Sequence, residues 1–158
     1  MTSSTAITPW PVIGHTWAVE QLARALRYGR VRHAYLFTGP RQIGKTTLAR
    51  ALAAALNCTG ATPPCGECRA CQLTLKGAHP DLALVQAEQE DGPIKIDQMR
   101  ELQQMLALRP YEGRYRVAIL RRFDSARPVA QDALLKTLEE PSPRVVLILT
   151  ADSDRLLP

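Results

Sequence analysis

No apolar run in the 158 residues approaches the roughly 18 that a membrane-crossing helix needs. The N-terminus also lacks the basic, apolar and small-residue succession of a secretory signal. These two absences exclude a helical membrane protein and point to a cytoplasmic one, without membrane partners. Cysteine is missing outside the stretch Cys58–Cys71. Acidic residues are the minority, 15 against 20 Lys and Arg, a formal charge of +5. That surplus permits contact with nucleic acid or phosphate, and a solvated basic surface accounts for it equally well. Histidine is scarce, and neither His15 nor His33 has a nucleophile or carboxylate partner nearby in the sequence, so both read as structural. A small-molecule kinase would need an acceptor site with a positioned base, and none is evident. With 46% hydrophobic content, the chain has enough apolar material for one core and is most simply one domain.

What is present is concentrated in Tyr35 to Leu56. The short apolar run Tyr35–Phe37 leads into Gly39-Pro-Arg-Gln-Ile-Gly44-Lys45-Thr46, and Leu48, Leu52, Ala55 and Leu56 then recur at helical spacing. The eight residues fit G-x-x-x-x-G-K-S/T in the strand, loop and helix order that a phosphate-binding loop requires. Backbone N–H groups and the helix N-terminus would cradle phosphate oxygens. Lys45 would reach the terminal phosphates as a point charge, and the Thr46 hydroxyl would coordinate Mg²⁺.

Directly after this helix, Cys58, Cys65, Cys68 and Cys71 follow a C-x6-C-x2-C-x2-C spacing. Four thiolates so placed can surround a tetrahedral Zn²⁺ at S–Zn distances of about 2.3 Å. Two disulfides or a redox pair are the competing readings, disfavoured by a reducing compartment. Such a site is closed, with no coordination position for water, and is therefore structural rather than catalytic.

The remaining pattern alternates helices and strands. The spacing predicts a helix from Thr16 to Gly29, strands at Leu82–Val85, Val117–Leu120 and Val145–Leu149, and a polar loop from Gln86 to Pro93. Further helices are predicted from Asp97 to before Pro110 and over about Val129–Glu140, with Pro141 and Pro143 as stops. Thr150 follows the last of these strands, and a polar turn comes after it. A parallel sheet covered on both faces follows from this alternation. One residue type is conspicuously missing. A hydrolytic phosphate-loop protein carries a carboxylate at the end of a neighbouring strand, but Val117–Leu120 runs into Arg121-Arg122. A unit positive charge about 4 Å from Mg²⁺ would be repelled by roughly 8 kcal/mol at an effective dielectric near 20, so ordinary metal binding is not expected. Asp124, the nearest substitute, is expected roughly 10 Å further along an extended chain. Both arginines read either as a solvated strand terminus or as a contact to phosphate or DNA.

The chain resembles the bacterial DNA polymerase III clamp-loader family of AAA+ proteins over nearly its whole length, from Val12 to Pro158. The resemblance rests on VIGH at Val12, GRVRHAYLFTGP running into IGKTTLARALAAALNC, the four cysteines, HPD at His79, and above all ALLKTLEEP from Ala133 to Pro141. Residues 1–11, Ser/Thr-rich over Met1–Thr8, read as a flexible N-terminus, and the resemblance implies an AAA+ P-loop domain over 12–158, with a zinc module inserted at about 57–72. It also implies ATP binding and a place, beside gamma/tau and delta subunits, in the complex that sets the sliding clamp on primer-template DNA. By position, Val12 and Ile13 would lie near adenine, Gly39, Gly44, Lys45, Thr46 and Thr47 at the phosphates, and Thr150 at the polar position on the fourth strand where the γ-phosphate is sensed. Gamma and tau members carry Asp-Glu where Arg121-Arg122 stands, so the chain is more like delta-prime, the stator. Gln42 occupies a position where members often have Gly. Family members continue past Leu156-Leu157-Pro158 into a Ser-Arg-Cys segment, a fifth strand, a lid and a collar. The expectation is therefore an N-terminal fragment whose first strand is a sheet edge. A stand-alone zinc-dependent nucleic-acid binder would explain the cysteines and charge but leave ALLKTLEEP without a role.

Overall fold

Four apolar runs form one parallel sheet: β1 (Ala34–Thr38), β2 (Leu82–Val85), β3 (Arg116–Leu120) and β4 (Val145–Ala151), in the spatial order β1-β4-β3-β2. The structure is a computed structural model describing residues 10–12, 14–90, 92–140 and 142–152. Residues 1–9 of the expected flexible start, Ile13, Asp91, Pro141 and the terminus from residue 153 onward lie outside the described residues, whereas Trp10, within that expected start, is buried in the core. The two central strands, β3 and β4, are buried at every position, as parallel strands covered on both faces must be. The outer strands β1 and β2 are only partly buried, and β1 is a sheet edge among the described residues.

Side chains alternate between the faces. Val117, Ile119, Val146 and Ile148 join Leu22, Leu48, Leu52 and Leu56 in one core, so helices α1 (Thr16–Arg27) and α2 (Lys45–Asn57) cover that face. Ala118, Leu120, Leu147 and Leu149 join Met99, Leu102, Ala130 and Leu134 in the other, beneath α4 (Ile96–Leu106) and α5 (Pro128–Glu139). The expected sheet with helices on both faces is therefore present. The alanine-rich α2 is buried almost all round, because its small side chains let the sheet approach one flank and α3 (Arg69–Leu75) the other. α4 starts where Gln98 reaches back to accept the Lys95 backbone N–H at 2.9 Å, and α5 starts with Pro128 at its first position.

The short helix α3 is not among the elements predicted from the sequence. At seven residues it is too brief to show a period, and the Cys68 sulfur caps it by accepting from the Cys71 N–H. β4 also outruns its predicted end at Leu149. Thr150 and Ala151 stay in the ladder opposite Phe37 and Thr38, because the Thr150 hydroxyl is satisfied inside by the Arg122 N–H at 3.0 Å.

Two buried polar residues hold the loop before β3. Asp81 accepts from the N–H groups of Tyr111, Glu112 and Gly113 at 2.5, 2.9 and 2.6 Å. Asn57 accepts from Arg114 and Tyr115, both at 2.9 Å, and donates to the Tyr115 carbonyl at 3.0 Å. Gly113 is required there, since a Cβ would come within 2.7 Å of the Asn57 amide. Burial alone would raise the pKa of Asp81, but the three N–H donors and the nearby Arg116 guanidinium outweigh it and hold the carboxyl below its ordinary value.

Candidate functional site: the phosphate-loop crevice and the thiol cluster

From β1 the chain crosses to the far edge strand β2 and returns through β3 to β4, beside β1. A crevice therefore opens at the C-terminal ends of β1, β4 and β3, where ligands bind in open parallel sheets. A cavity of about 650 Å³ lies there, and Gly44, Lys45, Thr46, Thr47, Arg121, Arg122, Thr150 and Asp152 are among the residues lining it. Such a volume suits a nucleotide-sized ligand. Most of the phosphate-site residues expected from the sequence thus meet at one cavity. Gly39 contributes its carbonyl to Lys45 rather than a surface. Val12 packs against the core beneath α1 and does not line the cavity.

The loop between β1 and α2 carries two left-handed residues, Gln42 at φ +63° and Gly44 at φ +93°. The conformation a glycine would adopt freely is thus imposed on Gln42, at a cost of about 1 kcal/mol. His15, read as structural, binds this loop: its Nε2 lies 2.5 Å from the Ile43 carbonyl.

Lys45 is nearly buried, and its ammonium is fully engaged within the protein. It donates to the Gly39 carbonyl, to the Ala151 carbonyl at 2.9 Å and to Asp152 Oδ1 at 2.9 Å. Asp152 also accepts from Arg41 Nε at 3.0 Å, and Arg122 Nε lies 3.7 Å from the same oxygen. Burial would raise the pKa of Asp152, but bonds from Lys45 and Arg41 outweigh it, so the carboxyl sits below its ordinary value. Sequence reasoning missed Asp152. The available signal was a carboxylate directly beyond the strand that ends beside the phosphate loop.

Asp124 does not lie where the extended-chain estimate puts it. Arg122 turns back at φ +53°, and a 3-10 turn at Phe123–Ser125 folds the chain towards β4. Asp124 Oδ2 thereby accepts the Asp152 N–H at 3.1 Å, and Asp124 is not among the cavity-lining residues. Arg121 and Arg122 do line the cavity. Arg121 Nη1 lies 3.4 Å from Gln86 Oε1, and Arg122 Nη1 donates to the Glu90 carbonyl at 2.8 Å.

At the other end of α2, the sulfurs of Cys58, Cys65, Cys68 and Cys71 all lie within 4.8 Å of one another, and none is in a disulfide. A tetrahedron with metal–sulfur bonds of about 2.3 Å needs sulfurs about 3.8 Å apart, so a small contraction would accommodate one metal ion. Backbone N–H groups of Gly60 and Cys65 point at the Cys58 sulfur, and that of Cys68 points at Cys65, all at 3.2–3.3 Å. These donors favour thiolates. Burial pushes the Cys58 and Cys71 thiols up, whereas backbone N–H donors overcome burial at Cys68 and hold it at about 6. Four crowded sulfurs of this kind can all ionise only around a cation, so the residues fit a metal. α3 bears Cys71, and its first residue Arg69 pairs with Glu112 at 3.4 Å, joining the cluster to the loop held by Asp81.

A parallel sheet in this order, covered by helices and with a phosphate loop at its C-terminal side, defines an α/β fold similar to that of P-loop AAA+ proteins. Among solved structures, a gamma-subunit-related protein from Thermotoga maritima superposes with a TM-score of 0.58 at 18% identity, covering 87% of this chain and 41% of that one. A Thermotoga maritima RuvB variant does so at 0.57 and 18%, covering 92% and 41%. The chain belongs to the family described as DNA polymerase III, delta subunit, whose model matches residues 14–158. It is 43% identical over 129 residues to the DNA polymerase III subunit delta′ of Pseudomonas aeruginosa, covering 80% of this chain and 39% of the relative. It is 38% identical over 149 residues to the tau subunit of Escherichia coli, covering 93% and 23%. The chain thus spans well under half the length of these relatives.

Proposed function

We propose that this chain is the nucleotide-binding part of a delta-prime-type clamp-loader subunit, acting in the cytoplasm in ATP-dependent loading of the sliding clamp on primer-template DNA. In this reading its partners are gamma/tau and delta subunits and, through the assembled complex, the clamp and the DNA. ATP occupies the crevice with its phosphates on Gly44–Thr47 and Lys45, while Zn²⁺ sits among the four cysteines as a structural staple. The subunit holds nucleotide without turning it over. The observation that carries this reading is the pair Arg121 and Arg122 on the cavity wall, where a hydrolytic member needs an acid to hold metal or orient water.

The tau relative covers more of this chain than the delta-prime relative does, which favours a gamma/tau-type ATPase as the second reading. Nucleotide binding and phosphate release, measured on the full-length protein alone and in the reconstituted complex, separate the two. Binding with negligible release by the isolated subunit is expected. Robust hydrolysis that Lys45→Ala abolishes would overturn the stator reading.

A further inference from the structure

The divalent cation that accompanies a bound triphosphate in P-loop proteins does not suit this cavity. Mg²⁺ takes near-octahedral oxygen ligands, commonly one or two carboxylates beside the loop hydroxyl. Of the described carboxylates lining the crevice, Asp152 has one oxygen on Lys45 at 2.9 Å and the other on Arg41 at 3.0 Å. Glu88 bridges to Lys95 at 3.4 Å on the exposed loop after β2, which also carries Glu90. Asp124, which does not line the crevice, accepts the Asp152 backbone N–H on one carboxylate oxygen.

The same wall is rich in protein cations. Arg121 continues directly from β3, its N–H bonded to the Val85 carbonyl at 2.8 Å. Arg122 is fixed at two points, by its backbone N–H on Thr150 and its guanidinium on the Glu90 carbonyl. Both arginines line the crevice that Lys45 and Thr46 also line, Arg121 with an exposed side chain and Arg122 with a half-buried one. Asp152 marks the resulting field: one carboxylate draws Lys45, Arg41 and Arg122 together, as a phosphate anion would.

We infer that Arg121 and Arg122 stand in for the divalent cation, so that the crevice binds the polyphosphate of a nucleotide without Mg²⁺. This rests on the reading of Gly39–Thr46 as a nucleotide-binding loop. The arginines supply fixed positive charge with planar, paired N–H donors suited to phosphate oxygens. They leave no ion to polarise the γ-phosphate or organise a water.

The test is ATP titrated calorimetrically into the full-length protein in excess Mg²⁺ and in excess EDTA. The expected dissociation constants agree within about threefold. Binding that requires Mg²⁺ overturns the inference and leaves the nucleotide reading standing. No binding under either condition overturns both. Arg121→Gln, at an exposed side chain, is expected to weaken binding in EDTA severalfold with an unchanged unfolding midpoint. The double change Arg121→Asp with Arg122→Glu is expected to abolish binding in EDTA and restore it with Mg²⁺. Unchanged EDTA affinity in either folded variant refutes the role assigned to the arginines.

Discussion

Replacing Asp152 by Asn tests whether the phosphate-loop lysine is held by an internal competitor. In the structure the Lys45 ammonium is bound to the Asp152 carboxylate at 2.9 Å, with 11% of the lysine side chain and 26% of the aspartate side chain exposed. A nucleotide phosphate must take Lys45 from that carboxylate before it can gain from the lysine at all. At an effective dielectric near 20, a unit pair at this distance attracts by roughly 6 kcal/mol before desolvation and side-chain ordering are subtracted. Net worth for hydrogen bonds to charged groups is about 1.5–3 kcal/mol, and for exposed ion pairs at most about 1 kcal/mol. This half-covered pair falls between, at about 1–2 kcal/mol. Asn keeps an oxygen for one cation and removes the charge, so Asp152→Asn should tighten ATP binding by about five- to thirtyfold. Calorimetry on the full-length variant, with Lys45→Ala as the non-binding control and urea unfolding as the check on folding, measures the effect. Equal or weaker binding by a folded Asp152→Asn protein would refute the idea that Asp152 competes with phosphate.

Two further predictions concern the scaffold. Asp81→Ala strands three backbone donors and the nearby Arg116 in a buried setting, and should cost about 3–5 kcal/mol by urea unfolding. The folded-state pKa of Asp81 is depressed, so its contribution is complete above the unfolded carboxylate value of about 3.9 and is lost as pH falls through the lower folded value. Asp81→Asn should flatten that acid limb of the stability–pH curve. For the thiol cluster, one equivalent of zinc should copurify with the protein, and chelation or Cys58→Ser should lower the melting temperature. Metal-free protein with four titratable thiols and unchanged melting would refute the site.

What could be read in advance was what lies close together along the chain. The strand before Gly39, the helix after it and the cysteine spacing are each contained in a few consecutive residues, so apolar period and side-chain chemistry suffice. The clasp on the loop before β3 was illegible for the opposite reason. Asp81 and Asn57 meet their donors across about 30 and 57 positions, and nothing in HPD or in the Asn before Cys58 announces which N–H groups will be aimed at them. Thr150 stands just past the predicted end of the fourth strand, and the partner that keeps it in the ladder, the Arg122 N–H, exists only once β3 and β4 are paired. The same pairing brings Asp124 back towards β4, which distance along an extended chain could not anticipate.

The arrangement around Asp152 also bears on why catalysis by this site alone is not expected. Hydrolysis needs a carboxylate free to hold metal or position water, together with a lysine free to meet the phosphates. Here Asp152 neutralises the phosphate-loop lysine, and its backbone is anchored to Asp124 in the turn after β3. That turn starts at Arg122, whose N–H holds the Thr150 hydroxyl, the polar group on the strand that leads to Asp152. The lysine, the polar strand residue and the only acid on the Phe123–Ser125 turn therefore form one connected network. Restoring an acid at Arg121 alone would leave Lys45 and Asp152 paired. A charge change at the end of β3 should consequently recover metal dependence more readily than turnover, and turnover would also require Asp152 to release the lysine.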